Sequence, residues 1–522
     1  VNEAATDEAL AVPPKPNRAH RAGRGILSIT GSTLYFLVAG YAAQLLLPRL
    51  LGSPEAFGFF STAMSFVSIL NNVLISATIQ VVSKRVSEDP PRASHTLRQA
   101  AELQLAIGCV LGGGMFLAAP QLAGAILLDP LLTPLFRLAA VVVMSYALYA
   151  AMIGALNGRQ DFLGQARFNM GYTTLRTLTM LGAAALGFGA VGVFAGFALS
   201  SVLVLIAALI VVGLGKAGAR KPWRSWLAFM APIWLYQLCL NLILQVDVTL
   251  LKRTVAELLQ AQGASAALAA ETASRYVGFY RAAQTFAFVP YQLILSVAFV
   301  IFPMVSEALS LGDEAAARRY IRAALRFSLL VLLAVAAPFA GAAPAVMRLV
   351  YPAAYAAGAP ALAVLVLAMV CFALFVIAAT IMSGAGRPGL AASVALLSVG
   401  SLVAGNIGFV RYAGVGEHTL FAAASGTALG TVVALLAMGA AVYRRFGGFI
   451  DPLTALRALI AAGAAFAVAH WLPSDDRLLS LAALGSGVLA YGLVLCLLRE
   501  LTRTDLQVAL GMLRRKRESG LQ

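Results

Sequence analysis

Fourteen apolar stretches of membrane-spanning length follow one another from Ile26 to Leu498. A helix needs ~20 residues to cross roughly 30 Å of hydrocarbon. Each stretch exceeds that, with starts near Ile26, Phe57, Ala100, Leu135, Phe168, Val191, Trp226, Val277, Ala323, Ala361, Leu390, Leu420, Leu456 and Leu478. Lipid offers the backbone no hydrogen-bond partner, so each segment must satisfy its own N–H and C=O groups as a helix. The expected fold is all-α, a polytopic membrane protein with about fourteen transmembrane helices.

Charge gives the orientation. With both termini placed inside, 28 of the 38 Lys and Arg residues fall on inner segments and nine on outer ones, and Arg176 lies within a span. Cytoplasmic loops carry the basic excess, so the reading is a multi-pass protein of the inner (plasma) membrane with both termini cytoplasmic. An odd number of spans would destroy the separation. With 61% hydrophobic and 11% charged residues and a mean hydropathy of +0.86, an ordinary soluble globular protein is excluded. The net charge of +16 is spread over the cytoplasmic rim, where membrane lipids with anionic headgroups attract it. No RNP, zinc-finger or helix-turn-helix pattern accompanies that charge, which argues against nucleic acid. Cys109, Cys239, Cys371 and Cys496 lie far apart within apolar spans, and His20, His95, His418 and His470 are equally scattered. Neither a disulfide framework, a metal site nor a cofactor is readable from them.

An internal repeat organises the chain. Phe57-Gly58-Phe59-Phe60 opens the second span and Val277-Gly278-Phe279-Tyr280 the eighth, 220 residues on; Asn157-Gly158-Arg159 after the fourth span is matched by Gly384-Ala385-Gly386-Arg387 after the tenth, at an offset of 228. Six spans separate each pair, so the halves share one orientation and are related by an axis along the membrane normal. The expected organisation is a disordered basic tail (1–25), an N-terminal six-helix lobe (26–214), a cytoplasmic linker (215–225), a C-terminal six-helix lobe (226–443), an appended helix pair (444–498) and a basic amphipathic tail (499–522). The first span is read as uncleaved rather than as a signal peptide, because its apolar core is too long. Trp223 and Trp226 are expected as interface anchors. Thr504 and Gln507 form a capping-box pattern, and Leu506, Leu510 and Leu513 face lipid in the same reading.

Polar side chains recur with helical period inside four spans. In the second, Ser61, Ser65, Ser68, Asn72, Ser76 and Ser83 run down one face with Asn71 and Gln80 beside it; in the seventh, Gln237, Asn241 and Gln245 form one row at i, i+4, i+8. The fifth span carries Asn169, Thr173, Arg176 and Thr177, and the eighth Arg281, Gln284 and Gln292. Such residues either stitch helices together or line a wet cavity, and the length of the row on the second span favours a cavity wall there. Arg176, ~12 Å into its span at 1.5 Å per residue, either snorkels to the headgroups or lines an anion-binding cavity. Arg281, one or two turns into the eighth span, serves the same cavity, and an Arg fork suits a phosphate or pyrophosphate. Asp247, in the outer part of the seventh span, either pairs with Lys252 or Arg253, the favoured reading, or couples transport to protons or sodium.

Several segments resemble a known family. Leu47-Pro48-Arg49-Leu50-Leu51-Gly52-Ser53-Pro54-Glu55-Ala56-Phe57-Gly58 is similar to the signature that follows the first helix of Wzx-type polysaccharide flippases, members of the multidrug/oligosaccharidyl-lipid/polysaccharide exporter superfamily. Ala155 to Phe162, Val277 to Ala283, Phe302 to Ser306 and Leu349 to Tyr355 extend the resemblance over the membrane region. It implies a V-shaped pair of bundles that moves a lipid-linked oligosaccharide across the inner membrane by alternating access, a cationic lumen engaging its pyrophosphate. Its partners would be the lipid-linked glycan, membrane lipids and a polysaccharide polymerase or other assembly machinery.

Three functions compete at this level. The leading one is a flippase for isoprenoid-pyrophosphate-linked repeat units in surface polysaccharide biosynthesis. An ion-coupled exporter of small molecules or drugs, or a lipid II flippase, keeps the fold and changes the cargo. The lipid II flippases typically carry an Arg-rich stretch that Ser76 to Ser83 does not reproduce, and the drug extruders typically stop at twelve spans. An integral-membrane enzyme needs clustered acid, base or nucleophile groups. The longest outer segment, Lys252 to Arg275, is rich in Ala and carries no such pattern, so no catalytic residue is assigned.

Overall fold

The computed structural model describes residues 16–218, 222–472 and 476–500. The described chain forms sixteen α-helices joined by short turns, and no strand occurs among these residues. The N-terminal lobe holds α1 (Pro16–Leu50), α2 (Pro54–Glu88), α3 (Ala93–Gln121), α4 (Thr133–Gly158), α5 (Phe162–Ala185) and α6 (Gly189–Val211). The C-terminal lobe holds α7 (Trp223–Ala261), α8 (Ala266–Ala287), α9 (Val289–Ser310), α10 (Glu314–Gly341), α11 (Ala343–Val350), α12 (Ala359–Gly384), α13 (Pro388–Ala413) and α14 (Thr419–Phe446). Helices α15 (Pro452–Trp471) and α16 (Arg477–Leu497) follow.

Among the described residues, twelve helices are long and apolar enough to cross a membrane. The two other expected spans correspond to helices outside these twelve: α5, made polar by Arg167, Asn169 and Arg176, and α8 with α9, which run on from each other across Phe288. Pro290 lacks an N–H for the helical ladder and breaks this span. Its two halves then diverge, α8 packing on α2 and α7 and α9 on α10 and α12.

Helix starts follow capping chemistry. Ser53 Oγ accepts from Ala56 N at 3.1 Å, with Pro54 in the first turn of α2; Asp161 Oδ1 accepts from Gly164 N at 2.9 Å for α5; and Asp313 Oδ1 accepts from Ala316 N at 2.8 Å for α10. At its C-terminal end α14 closes on Gly447 in the left-handed region, with Arg444 and Arg445 in its last turn.

Each lobe is built around one central helix. Helix α4 packs on α2, α3 and α6, and its counterpart α12 packs on α8, α9, α10 and α14. Both end in the same turn: Gln160, two residues beyond Gly158, and Gly386, two beyond Gly384, have φ of 60° and 77°. The structural offset of that repeat is therefore 226, from 158 to 384, and not 228. Helix α2 crosses the boundary between lobes along both α7 and α8, whereas α1 makes no extended contact with α8 among the described residues. Helices α15 and α16 pack on each other and on α10, on the C-terminal lobe.

Several expectations change. The eighth span starts at Ala266 rather than Val277, and most of the Lys252 to Arg275 loop is helix, because alanine-rich sequence favours helix. Pro16 to Gly25, read as tail, belongs to α1. Trp226 is buried beneath Arg85 rather than set at an interface, while Trp223 is exposed. Of the three adjacent glycines Gly112, Gly113 and Gly114 in α3, Gly112 alone sits tightly against Met144 and Ala140 of α4, and Gly113 and Gly114 face open space. Residues 1–15, 219–221 and the expected amphipathic helix from Thr504 lie outside the described residues.

Candidate functional site

Between the lobes lies a cavity of ≈410 Å³ walled by α1, α2, α5, α7 and the α8–α9 span. Ser61, Ser68 and Asn72 reach it from the polar row of α2, whereas Ser65, Ser76 and Ser83 of that row do not line it. Arg176 enters from α5 and Arg281 from α8, so each lobe contributes one cation. Phe36, Phe57, Phe60 and Phe288 form the apolar part of the wall.

Arg176 makes no ion pair among the described residues. Its Nη1 donates to Tyr172 Oη at 3.1 Å, and its guanidinium stands 5.7 Å from the Tyr172 ring centroid, 5.6 Å from Phe197 and 6.0 Å from Phe36. Arg176 lines the cavity.

Arg281 lies four turns into α8 by the usual helical pitch, deeper than expected because the helix starts earlier. Its Nη1 donates to Gln245 Oε1 at 2.9 Å and to Gln284 Oε1 at 3.0 Å. Gln284 Nε2 in turn donates to both oxygens of Asp247, at 3.0 and 2.9 Å. Asp247, fully buried, also accepts from Tyr280 Oη at 2.8 Å, Thr427 Oγ1 at 3.0 Å and Val248 N at 2.9 Å. A buried carboxylate is tolerable when its lone pairs are filled in this way. The favoured pairing of Asp247 with Lys252 or Arg253 does not form. Lys252 pairs with Asp129 at 2.8 Å and Arg253 with Glu257 at 2.6 Å.

The remaining expected site residues divide. Asn72 Nδ2 donates to Asn241 Oδ1 at 2.8 Å, and Gln245 lines the cavity beside Arg281. Asn241 and Gln284 support the wall without lining it. Gln237 gives Asn241 its backbone carbonyl, at 2.9 Å, and lines no described cavity. Gln80 is exposed and lies off the cavity. Tyr41, Gln44, Tyr172, Tyr280 and Thr427 were not singled out from sequence. Tyr172 was within reach of that reading, since it precedes Arg176 by one helical turn.

A second compartment, ≈230 Å³, opens within the N-terminal lobe between α2, α4 and α5 and shares Phe36, Met64, Ser68, Asn72 and Arg176 with the first.

The lobes touch at both ends of the cavity. At the basic face, Arg85 Nη2 donates to Ser225 O at 2.8 Å and its guanidinium lies 4.4 Å from the Trp226 ring centroid. At the opposite face, Lys252 meets Asp129, Arg275 meets Glu55, and Gly58 and Gly278 bring α2 and α8 together.

The arrangement of two helical lobes around this cavity is similar in fold to solved transporter structures. The chain resembles a structure of the lipid II flippase MurJ in an inward closed conformation (15% identity, TM-score 0.72), covering 91% of this chain and 99% of that one. It also resembles a multidrug resistance MATE family transporter in an inward-facing conformation (18% identity, TM-score 0.64; 80% and 94% covered), and less so an outward-facing one (16%, 0.56; 81% and 95%). No curated protein matches by sequence. The chain belongs to the polysaccharide biosynthesis protein family, whose model matches residues 46–360.

Proposed function

We propose that the protein flips a polyprenyl-pyrophosphate-linked saccharide across the inner membrane, from a cytoplasmic face that holds both termini, for surface polysaccharide assembly. The observation that carries this reading is the pair Arg176 and Arg281, contributed by different lobes to one cavity and bonded there to a phenol and two amide oxygens rather than to carboxylates. Two cations without direct counter-ions at membrane depth are costly, and a pyrophosphate bridging them relieves that cost. The polar row of α2 gives the sugar a hydrated path, and the weakly closed seam between α1 and α8 leaves room for the lipid tail to stay in the bilayer.

Asp247 supplies the coupling in this reading. Gln284 joins it to Arg281, so a proton or sodium ion arriving at the carboxylate shifts the amide and with it the guanidinium that holds the anion. The flipped product then passes to a polymerase on the far side.

The test is the pool of lipid-linked saccharides in a deletion strain. Completed units accumulate on the cytoplasmic side, relieved by the intact gene but not by the Arg176→Ala, Arg281→Ala variant. An unchanged pool with altered sensitivity to cationic drugs overturns the reading in favour of small-molecule export; accumulation of lipid II instead identifies that lipid as the cargo.

A further inference from the structure

We infer that the compartment inside the N-terminal lobe is a saccharide subsite, which receives the first sugar of the cargo, the one bonded to the pyrophosphate. The inference rests on the proposed passage of a lipid-linked saccharide through the central cavity.

Position comes first. Arg176 stands where the two compartments meet, with Phe36, Met64, Ser68 and Asn72. An anion held there places the ring attached to it at the mouth of the inner compartment. Size agrees: at the ~10–15 Å³ that one water-sized probe occupies, the ≈230 Å³ compartment has room for a pyranose ring with its substituents.

The wall chemistry is the stronger argument. A pyranose has apolar C–H faces and a rim of hydroxyls. Tyr172 offers aromatic surface, backed by the buried Tyr146, which stands edge-on to Tyr172 at 5.4 Å and to Tyr149 at 6.1 Å. Three buried oxygens at this wall, Asn71 Oδ1, Tyr146 Oη and Tyr149 Oη, have no hydrogen-bond partner in the structure. Leaving such groups unmade is costly, and a ligand that brings hydroxyls satisfies them. A purely apolar guest would leave all three orphaned. Apart from Arg176 the compartment is uncharged, so it selects for neutral polar rings and not for a second anion.

The experiment measures binding of the full chain in lipid nanodiscs to a bare polyprenyl pyrophosphate and to the same lipid carrying one glucose, galactose, mannose or N-acetylglucosamine. At least one glycosylated probe should bind about tenfold tighter than the bare lipid. The Asn71→Leu, Tyr149→Phe variant should lose that preference while still binding the bare lipid, which reports that it is folded. If the double variant fails to fold, Tyr149→Phe alone, which removes one oxygen and no carbon, is read in the same way with a smaller loss expected. Equal binding of all probes by the unaltered protein, or a preference that survives the substitutions, overturns the subsite and leaves the flippase reading standing. Binding of neither kind of probe overturns both.

Discussion

Lys252 of α7 donates to Asp129 across the boundary between the lobes at 2.8 Å, with both side chains almost completely buried (0% and 3% exposed). Lys252 also reaches Ala270 O, at 2.7 Å, and Ser274 Oγ. Removing one member of such a pair strands the other charge, which costs about 3–5 kcal/mol, whereas replacing both by apolar groups is often neutral. Asp129→Ala should therefore lower the melting temperature markedly. Asp129→Leu with Lys252→Met should recover most of it and, having lost the latch, admit more thiol reagent from that face to a cysteine placed at Ser61. Equal melting of the single and double variants would contradict the pairing.

Next to that latch, Gly58 and Gly278 occupy equivalent positions of the two lobes, 220 residues apart, and each fills the space where the other's helix comes closest. A Cβ on Gly58 would overlap the Ser274 carbonyl, and one on Gly278 the Pro54 carbonyl. Backbone cannot yield as a side-chain tip does, so Gly58→Val and Gly278→Val should each hold α2 and α8 apart on this face. Transport should fall at least tenfold while the protein remains folded, and cross-linking between cysteines at Glu55 and Arg275 should weaken. Undiminished cross-linking would show that the helices tolerate the added bulk.

Much of this architecture was legible because lipid leaves few choices: apolar windows must be helices, and polar groups at helical spacing must face protein or water. Ser61, Ser68 and Asn72 were readable as a wall for that reason. Gln80 was not separable from them by composition, yet at 100° per residue it falls about 100° around α2 from Ser61. The error at Asp247 has the same origin. Lys252 is five residues on, roughly 140° around the helix, so nearness in sequence was no guide to pairing. Its actual partners Tyr280 and Thr427 lie 33 and 180 residues away, a relationship fixed by packing between helices. The joint between α8 and α9 was hidden because the apolar pattern runs on through Pro290.

Arg176 and Arg281 should contribute unequally to anion binding. Among the described residues Arg176 donates only to Tyr172 Oη, while Arg281 has Nη1 occupied by Gln245 and Gln284 and keeps Nη2 and Nε for a ligand. A charge-assisted hydrogen bond contributes about 1.5–3 kcal/mol, or roughly 10- to 150-fold in affinity. Arg176→Ala is expected near the upper end for polyprenyl pyrophosphate and Arg281→Ala nearer the lower. Lysine at position 176 should restore only part of the loss, because it lacks the planar fork. Affinities measured by microscale thermophoresis check the order, and an unchanged affinity in both alanine variants would remove the arginines from the site.

The appended helix pair is held by a carboxylate whose ionisation sets its pH range. Glu500, just after α16, accepts from Arg326 Nε at 2.9 Å, Thr454 Oγ1 at 2.8 Å and Arg457 Nη1 at 3.0 Å. Burial by itself would raise its pKa, but these donors outweigh it and hold the carboxyl below the usual carboxylate range. A depressed folded-state pKa means that the ionised form is the one folding favours. The contribution is thus complete above the unfolded value, ~4.3, and is lost as pH falls through the lower folded value. Hydrogen exchange in α15 and α16 should stay slow from neutral pH to about pH 5, after correction for intrinsic rates, and accelerate below about pH 4 before the two lobes are affected. Glu500→Gln keeps the shape and removes the charge. It should lower protection of both helices by about 2 kcal/mol at neutral pH and abolish this acid step, whereas an acid step that persists in the variant would assign it to another group.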